Sequence, residues 1–492
     1  MTWLIVFSIL CLGAFFFARE MRRSQVETDT VKHMEDLGYD VEFEYGNVES
    51  KGGGGFGQVK LEYPGPEWLK AIFGEKVFSR IVSIDLSGHV QVDTSGHGQV
   101  DTSGHVETLE NLSLDNFSRL RTLTINSDRL KSLAGISNLR SLNTLVIASD
   151  NLENLDGIEH LRTLEHVRLS CCDEGRDDGI KLTNIAGLSS LNLSSFSLEY
   201  FSGDISLAPL ATHQALKNLF IEGCNGIKEI NFENWQAANL EHLQIKSCSQ
   251  LALIEGVPKN TDSLEVSRCS ALKKINIRNQ TNLQSIYIEE CPQFASVDGL
   301  PETLEILDLE YCLTNRSRLI PIGSTIRIST HQDLPNLKTA KISCDNSSDC
   351  VIDGTFKNVE HLELESCDLK NFDVFQNFPN LTRLNLSACD ELASIDGLPE
   401  NLEALDLTWC DKLEHINVNQ RSPNLTRLRI NGCAELGSID GLPENLKELD
   451  LLNCQKLERL NANQNLPNVR KVSIRDCKRL VDVPKAIKEP NK

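Results

Sequence analysis

The chain has 492 residues, with 49 Lys and Arg against 70 Asp and Glu, a net charge of −21. That balance speaks against a nucleic-acid partner, because phosphate recognition rests on clustered cations. Sixteen cysteines would suggest a disulfide framework in a small secreted domain, yet twelve of them fall at one fixed place in a periodic phrase rather than in loop pairs.

Residues Thr2 to Ala18 carry no charge and run directly into Arg19, Glu20, Arg22 and Arg23. By composition this is a membrane segment, although at about 1.5 Å per residue it reaches only roughly 25 Å of a ~30 Å hydrocarbon layer. The flanking arginines predict a single-pass anchor over 1–23 with the remaining chain on the cytoplasmic side, an exported domain being the alternative.

Residues 24–38 read as a short helix, and 39–46 alternate like a strand. A glycine-rich stretch at 51–57 reads as a hairpin linker to a second strand at 59–63, and Pro66 opens an amphipathic helix through Trp68, Ile72, Phe73 and Phe78. Because a solenoid must cover its first coil, 24–80 is expected to be an N-terminal cap module.

The phrase SGHVQVDT at 87–94 is duplicated at 95–102, which spaces His89, His97 and His105 eight residues apart. An even spacing puts them on one face of an extended strand but too far apart to hold one ion, so no metal site is expected there.

From residue 81 to 482 one phrase recurs, LxxLxLxxC. Clear copies are Leu402, Leu405, Leu407, Cys410, then Leu425, Leu428, Ile430, Cys433, then Leu446, Leu449, Leu451, Cys454. Apart from the long step between Cys312 and Cys367, the register from Cys224 to Cys477 advances by 21 to 24 residues. Upstream the same register ends on Asp128, Asp150, Cys172 and Phe196. A period in the twenties with apolar residues on one side of a short strand signals a solenoid of stacked coils sharing one core, here about 17 or 18 of them. Cys389 to Cys433 and Cys433 to Cys477 are each 44 residues apart, so the array is read as a product of duplicated coil pairs.

These phrases resemble the leucine-rich-repeat family in its cysteine-bearing variant. SIDGLPENLEALDLTWC is similar to the short bacterial type, and LAGISNLRSLNTLVIASD to the internalin-like type. With the apolar N-terminus, the chain resembles membrane-anchored leucine-rich-repeat proteins of bacteria. The resemblance implies an α/β repeat fold, a leucine-rich-repeat solenoid with a concave parallel β-sheet and an N-terminal α+β cap, ending in a tail at 483–492.

In such a phrase the residues between the inward apolar ones point outward and tile the sheet. The candidate protein-binding residues are Tyr287, Glu289, Asp308, Glu310, Tyr311, Glu363, Glu365, Asp406, Trp409, Arg429 and Arg475, with Arg427 and Arg470 beside them. The acidic middle coils with their tyrosines suit a protein partner with a basic surface. No GxSxG, HExxH or Walker phrase occurs, so no enzyme, cofactor, metal or small-molecule substrate is expected. The expected function is a membrane-anchored binding scaffold or receptor-like module; the alternative is an exported adhesin or host-directed effector. Asn380, Asn385 and Asn424 stand in glycosylation-like phrases but read as by-products of the repeat.

Overall fold

The computed structural model describes short stretches from residue 19 to 62, residues 80–87 and, apart from scattered positions, 107–171, 182–310, 325–329, 334–344, 349–353, 356–484 and 487. Thr2 to Ala18, the glycine stretch, the helix expected after Pro66, the three duplicated histidines, Tyr311, Cys172 and Cys312 lie outside the described residues. Two compact units divide the chain, Met1–Ile227 with Trp235–Asn239, and Lys228–Asn234 with Leu240–Lys492.

In the first unit, residues 25–30 and 32–33 are helical, and Asn116 Nδ2 donates to Thr30 Oγ1 at 3.0 Å. Strand Glu42–Glu44 lies parallel to Gln58–Glu62, which runs antiparallel to Arg80–Ser87. The expected hairpin is therefore a parallel crossover, for which residues 45–57 supply just the dozen or so residues such a return requires. Gln58–Glu62 also covers the edge of Arg80–Ser87, which would otherwise offer an unpaired ladder.

From Arg80–Ser87 onward, strands Thr122–Asn126, Thr144–Ala148, His166–Ser170, Ser195–Glu199 and Asn218–Glu222 stack parallel and in register. Alternation buries Leu123 and Ile125, Leu145 and Ile147, Val167 and Leu169, Phe196 and Leu198, and Leu219 and Ile221 in paired columns. Burying each such side chain contributes about 1.5–3 kcal/mol before conformational entropy is counted. The backs of these coils are 3-10 turns, as at Ile158–His160, Ala186–Ser190 and Ala208–Leu210.

Eleven strands from His242–Lys246 to Lys471–Arg475 form the parallel sheet of the second unit. Here the coil backs are short strands, such as Leu253–Glu255, Lys274–Asn276, Ser394–Asp396 and His415–Asn417. Their inward residues are β-branched, Ile254, Ile275, Ile395 and Ile416, whereas Leu133, Leu155 and Leu207 hold that place in the first unit, with Ile185 the exception. A stiff β-branched side chain favours the extended backbone, which accounts for the change.

The turn leaving each long strand also differs. In the first coils the residue after the strand turns inward, burying Ser127, Ser149 and Cys171 and leaving Asp128 and Asp150 half-buried, one residue earlier than the register predicts. In nine coils of the second unit that residue is left-handed (Ser247, Arg268, Glu290, Ser366, Ala388, Trp409, Gly432, Asn453 and Asp476) and the following cysteine faces the core, whereas Cys344 follows its strand directly, as in the first coils. For a non-glycine residue the left-handed conformation costs about 1–2 kcal/mol. In partial return its N–H extends the ladder, as in Trp409 N to Asn431 O at 2.8 Å and Asn453 N to Arg475 O at 2.9 Å.

Side chains tie coil to coil. A recurring asparagine, just before the first inward residue of its coil, donates to a carbonyl of the preceding coil at Asn358 (2.7 Å to Pro335 O), Asn380 (2.8 Å to Lys357 O), Asn424 (3.1 Å to Glu400 O) and Asn445 (2.9 Å to Pro423 O). Asn380 and Asn424 are thus structural. On the exposed turns Glu391 meets Lys412 and Glu435 meets Lys456, so charge alternates along four coils.

The expected single-pass membrane localisation, with its cytoplasmic repeat domain, is corrected. No helix among the described residues is long and apolar enough to cross a membrane. A span takes about 20 consecutive apolar helical residues, and the described helical residues between Arg19 and His33 include the charged Arg22, Arg23, Glu27, Asp29 and Lys32.

Candidate protein-binding face

Strand alternation sends one residue set of each long strand outward. In the second unit Tyr287, Asp308, Lys341, Glu363, Asn385, Asp406, Arg429 and Asp450 occupy successive register positions of one row. Glu289 and Glu310 pair directly two residues further along, and Glu365 stands at that level on its own strand. Tyr287 is 37% exposed, one of four large hydrophobic side chains open to solvent among the described residues.

Glu289, Asp308, Glu310, Glu363 and Glu365 therefore share one surface, with Lys341 set among them. Lys341 Nζ donates to Glu310 Oε2 at 2.9 Å. Burial works against its charge, but the bond to Glu310, with Asp308 and Glu363 nearby, holds the ammonium above its ordinary pKa. One cation does not satisfy the patch. Burial first, then Glu310, Glu363 and Glu289, push Asp308 up to about 6 against the pull of Lys341. Asp308 Oδ1 is also buried without a hydrogen-bond partner among the described residues, as are Asp406 Oδ1 and Asp450 Oδ1 in the same row.

Toward the later coils the charges are matched within the sheet. Arg427 pairs with Asp406 at 3.1 Å, and Arg429 lies 3.6 Å from Glu448. The row thus changes from an acidic surface around Asp308 to a mixed one around Arg429, and Arg475 stands exposed on the last strand.

Trp409 stands elsewhere than the alternation predicts. It follows strand Ala404–Thr408 in the left-handed turn (φ 52°) and is 59% exposed. Its indole lies over Gly432 of the next coil, where a Cβ would sit 2.0 Å from Trp409 Cδ1. Tyr200 repeats the arrangement in the first unit, its ring lying where a Cβ on Gly223 would be 2.6 Å from Cδ1. Sequence reasoning missed both glycines, although each directly precedes a column cysteine, as the left-handed residue does in every such coil.

The outward face of the first unit carries a groove of about 410 Å³ lined by His166, Arg168, Ser195, Ser197, Glu199 and Phe220, among others. Glu199 is buried, accepting from Arg168 Nη2 at 2.6 Å and from Ser197 Oγ at 2.5 Å. Among the described residues no group of three or more His, Cys, Asp or Glu is placed to hold a metal ion.

The surface as a whole is an open sheet with charged and aromatic side chains held at fixed spacing by a packed core, an arrangement suited to protein binding.

A family model described as the leucine-rich-repeat domain of the endo-beta-N-acetylglucosaminidase EndoS matches residues 106–213. Among solved structures, an internalin (inlF) of Listeria monocytogenes is similar at 12% identity, over 81% of this chain and 94% of that one, with a TM-score of 0.28. YopM of Yersinia enterocolitica is similar at 15% identity, over 82% and 90%, with a TM-score of 0.30. A leucine-rich-repeat protein of Bacteroides ovatus follows at 13%, over 82% and 88%, with a TM-score of 0.21. No curated protein matches the chain by sequence. The inward Leu and Ile columns and the coil period give the chain a leucine-rich-repeat solenoid, and the match over 106–213 supports that family for those residues.

Proposed function

We propose that the chain is a binding scaffold whose outward sheet face, around Tyr287, Glu289, Asp308, Glu310, Glu363 and Glu365, takes a protein partner with a basic surface. The observation that carries this reading is Asp308, set among Glu289, Glu310 and Glu363 with one oxygen unpartnered and raised to about 6 by burial first and then by those carboxylates. A cation delivered by a partner would relieve that repulsion, and Tyr287 beside it offers an aromatic anchor of the kind that dominates interface energetics. Asp406, Trp409, Arg429 and Arg475 would form the mixed-charge flank of the same interface. The reading goes with a division into a cap at 24–80 and a repeat array at 81–482.

Photo-crosslinking through a benzoylphenylalanine at position 287, in extract of the source cells, tests it. The expected product is a discrete adduct with a basic protein that weakens with salt and is lost in Glu289→Gln/Glu310→Gln/Glu363→Gln, which removes charge at constant shape. An adduct indifferent to that substitution, or formed with an acidic protein, would overturn the reading.

A further inference from the structure

The cysteine column is not uniform. Cys344, Cys367, Cys389, Cys410, Cys433 and Cys454 are buried, whereas Cys477 is half-buried. From Cys367 onward each Sγ donates to the carbonyl two residues back, at 3.5 Å for Cys454 to Leu452 O and 3.4 Å for Cys477 to Arg475 O. Neighbouring thiols also touch where Cys367 Sγ lies 3.6 Å from Cys344 Sγ.

Two features set the last pair apart. The ladder bond from Asn453 N to Arg475 O keeps the two coils in register up to the residue before Cys454, so their Cα atoms lie about one strand spacing apart, ~4.8 Å. That is within the roughly 4.4–6.8 Å a disulfide spans. Moreover, Val472 and Ile474 beneath Cys477 are only half-buried, whereas Leu449 and Leu451 one coil earlier are buried. The outer member of the pair can therefore shift toward its neighbour, while an interior thiol is held by a packed coil on each side.

We propose that Cys477 is a peroxide-reactive thiol and Cys454 its resolving partner, together closing a disulfide across these two coils while the thiols deeper in the column stay reduced. In the first step the Cys477 thiolate attacks a peroxide oxygen, an S–O bond forms, the O–O bond breaks, and the leaving hydroxide takes a proton to become water. In the second, Cys454 sulfur attacks the sulfenic sulfur, the S–S bond forms, and the S–O bond breaks. The hydroxyl leaves as water with the proton Cys454 gives up. Two thiols lose two electrons and two protons, and one hydrogen peroxide becomes two waters.

The chemistry fits each sulfur. The neighbouring Cys454 thiol lowers Cys477 to about 7 against the opposing effect of burial. Cys477 and burial in turn hold Cys454 above the ordinary thiol range. Deeper in the column the same pairing raises Cys389 and Cys433 and lowers Cys410 to about 4, so what sets Cys477 apart is its exposure rather than its acidity.

The test uses the full reduced chain, one equivalent of hydrogen peroxide, then denaturation, alkylation and tryptic mapping. The expected product joins peptides 448–456 and 476–478 by a disulfide, with Cys389, Cys410 and Cys433 recovered alkylated. In Cys454→Ser, dimedone should trap a sulfenic acid at Cys477, and in Cys477→Ser the peroxide should leave Cys454 unmodified. The wild-type map alone decides the matter if a variant misfolds. Oxidation spread evenly over the column, a disulfide elsewhere, or Cys477 alkylating no faster than the buried thiols would overturn the proposal.

Discussion

The two units build the same inner register on different turns. In the first, Ser127 and Ser149 enter the core directly after the strand, and Ser149 Oγ donates to Leu130 O at 2.8 Å. In most coils of the second a left-handed residue is interposed and a cysteine enters one position later, with a weak S–H donor; Cys344 there follows its strand directly, and the first unit itself turns left-handed at Tyr200 and Gly223 in its later coils. Serine can receive the N–H two residues on, as in Asn151 N to Ser149 Oγ at 3.3 Å, so it forms its own turn. The cysteine type leans on backbone geometry, and the 3-10 backs of one unit against the strand backs of the other show that the shared core tolerates both solutions.

The largest expected effect comes from the part the two units have in common. Leu145→Ala in the first and Leu405→Ala in the second should each cost about 2–5 kcal/mol through cavity formation, read from denaturant unfolding. Hydrogen exchange should place the loosening in the mutated unit only. Equal loosening of both would mean that the units unfold as one.

Gly432→Ala sharpens the comparison of turns. Its φ of +73° and its place under the Trp409 indole predict a loss of about 1–3 kcal/mol and a red-shifted Trp409 emission, taken as the difference from Trp409→Phe. An unchanged spectrum would mean that the indole does not lie over Gly432.

In pH response the units should diverge. Desolvation lowers His213, which is buried and accepts from Leu193 N at 3.0 Å through Nδ1. Its folded pKa lies below the unfolded 6.5, so the stability it contributes is present above that pH and is lost as pH falls below it. Asp308 has the opposite sign. Its folded pKa of about 6 exceeds the unfolded 3.8, so its contribution grows as pH falls through 6 and disappears as pH rises through it. Exchange protection measured at pH 5 and 7.5 should drop in acid around His213 and rise around Asp308, and Asp308→Asn should abolish the second trend.

The smallest effect is Asn424→Ala, expected to cost about 1 kcal/mol in thermal unfolding for the lost bond to Glu400 O.

Period-two alternation made the inward columns legible, because a one-residue slip would expose every Leu and Ile at once. It also marked the outward row, Tyr287 through Arg429. What it could not show is the turn, since Ser127 faces inward and Ser247 does not through a change in the sign of one φ angle, which no hydrophobic pattern records. Trp409 was placed on the sheet for that reason. Lys341 went unnoticed because the spacing breaks around it, although Ala340 and Ile342 restore the register. The parallel pairing of Glu42–Glu44 was hidden for a different reason, as a glycine-rich connection admits either direction.

The alternation of Glu391, Lys412, Glu435 and Lys456 sets a parity rule for how such an array can change length. Deleting the single coil that carries Lys412 would stack Glu391 on Glu435, like against like. Deleting two would stack Glu391 on Lys456 and restore an attractive neighbour. Gain or loss by twos keeps the alternation, whereas removal of either inner coil alone, that of Lys412 or that of Glu435, leaves like charges facing across the new seam.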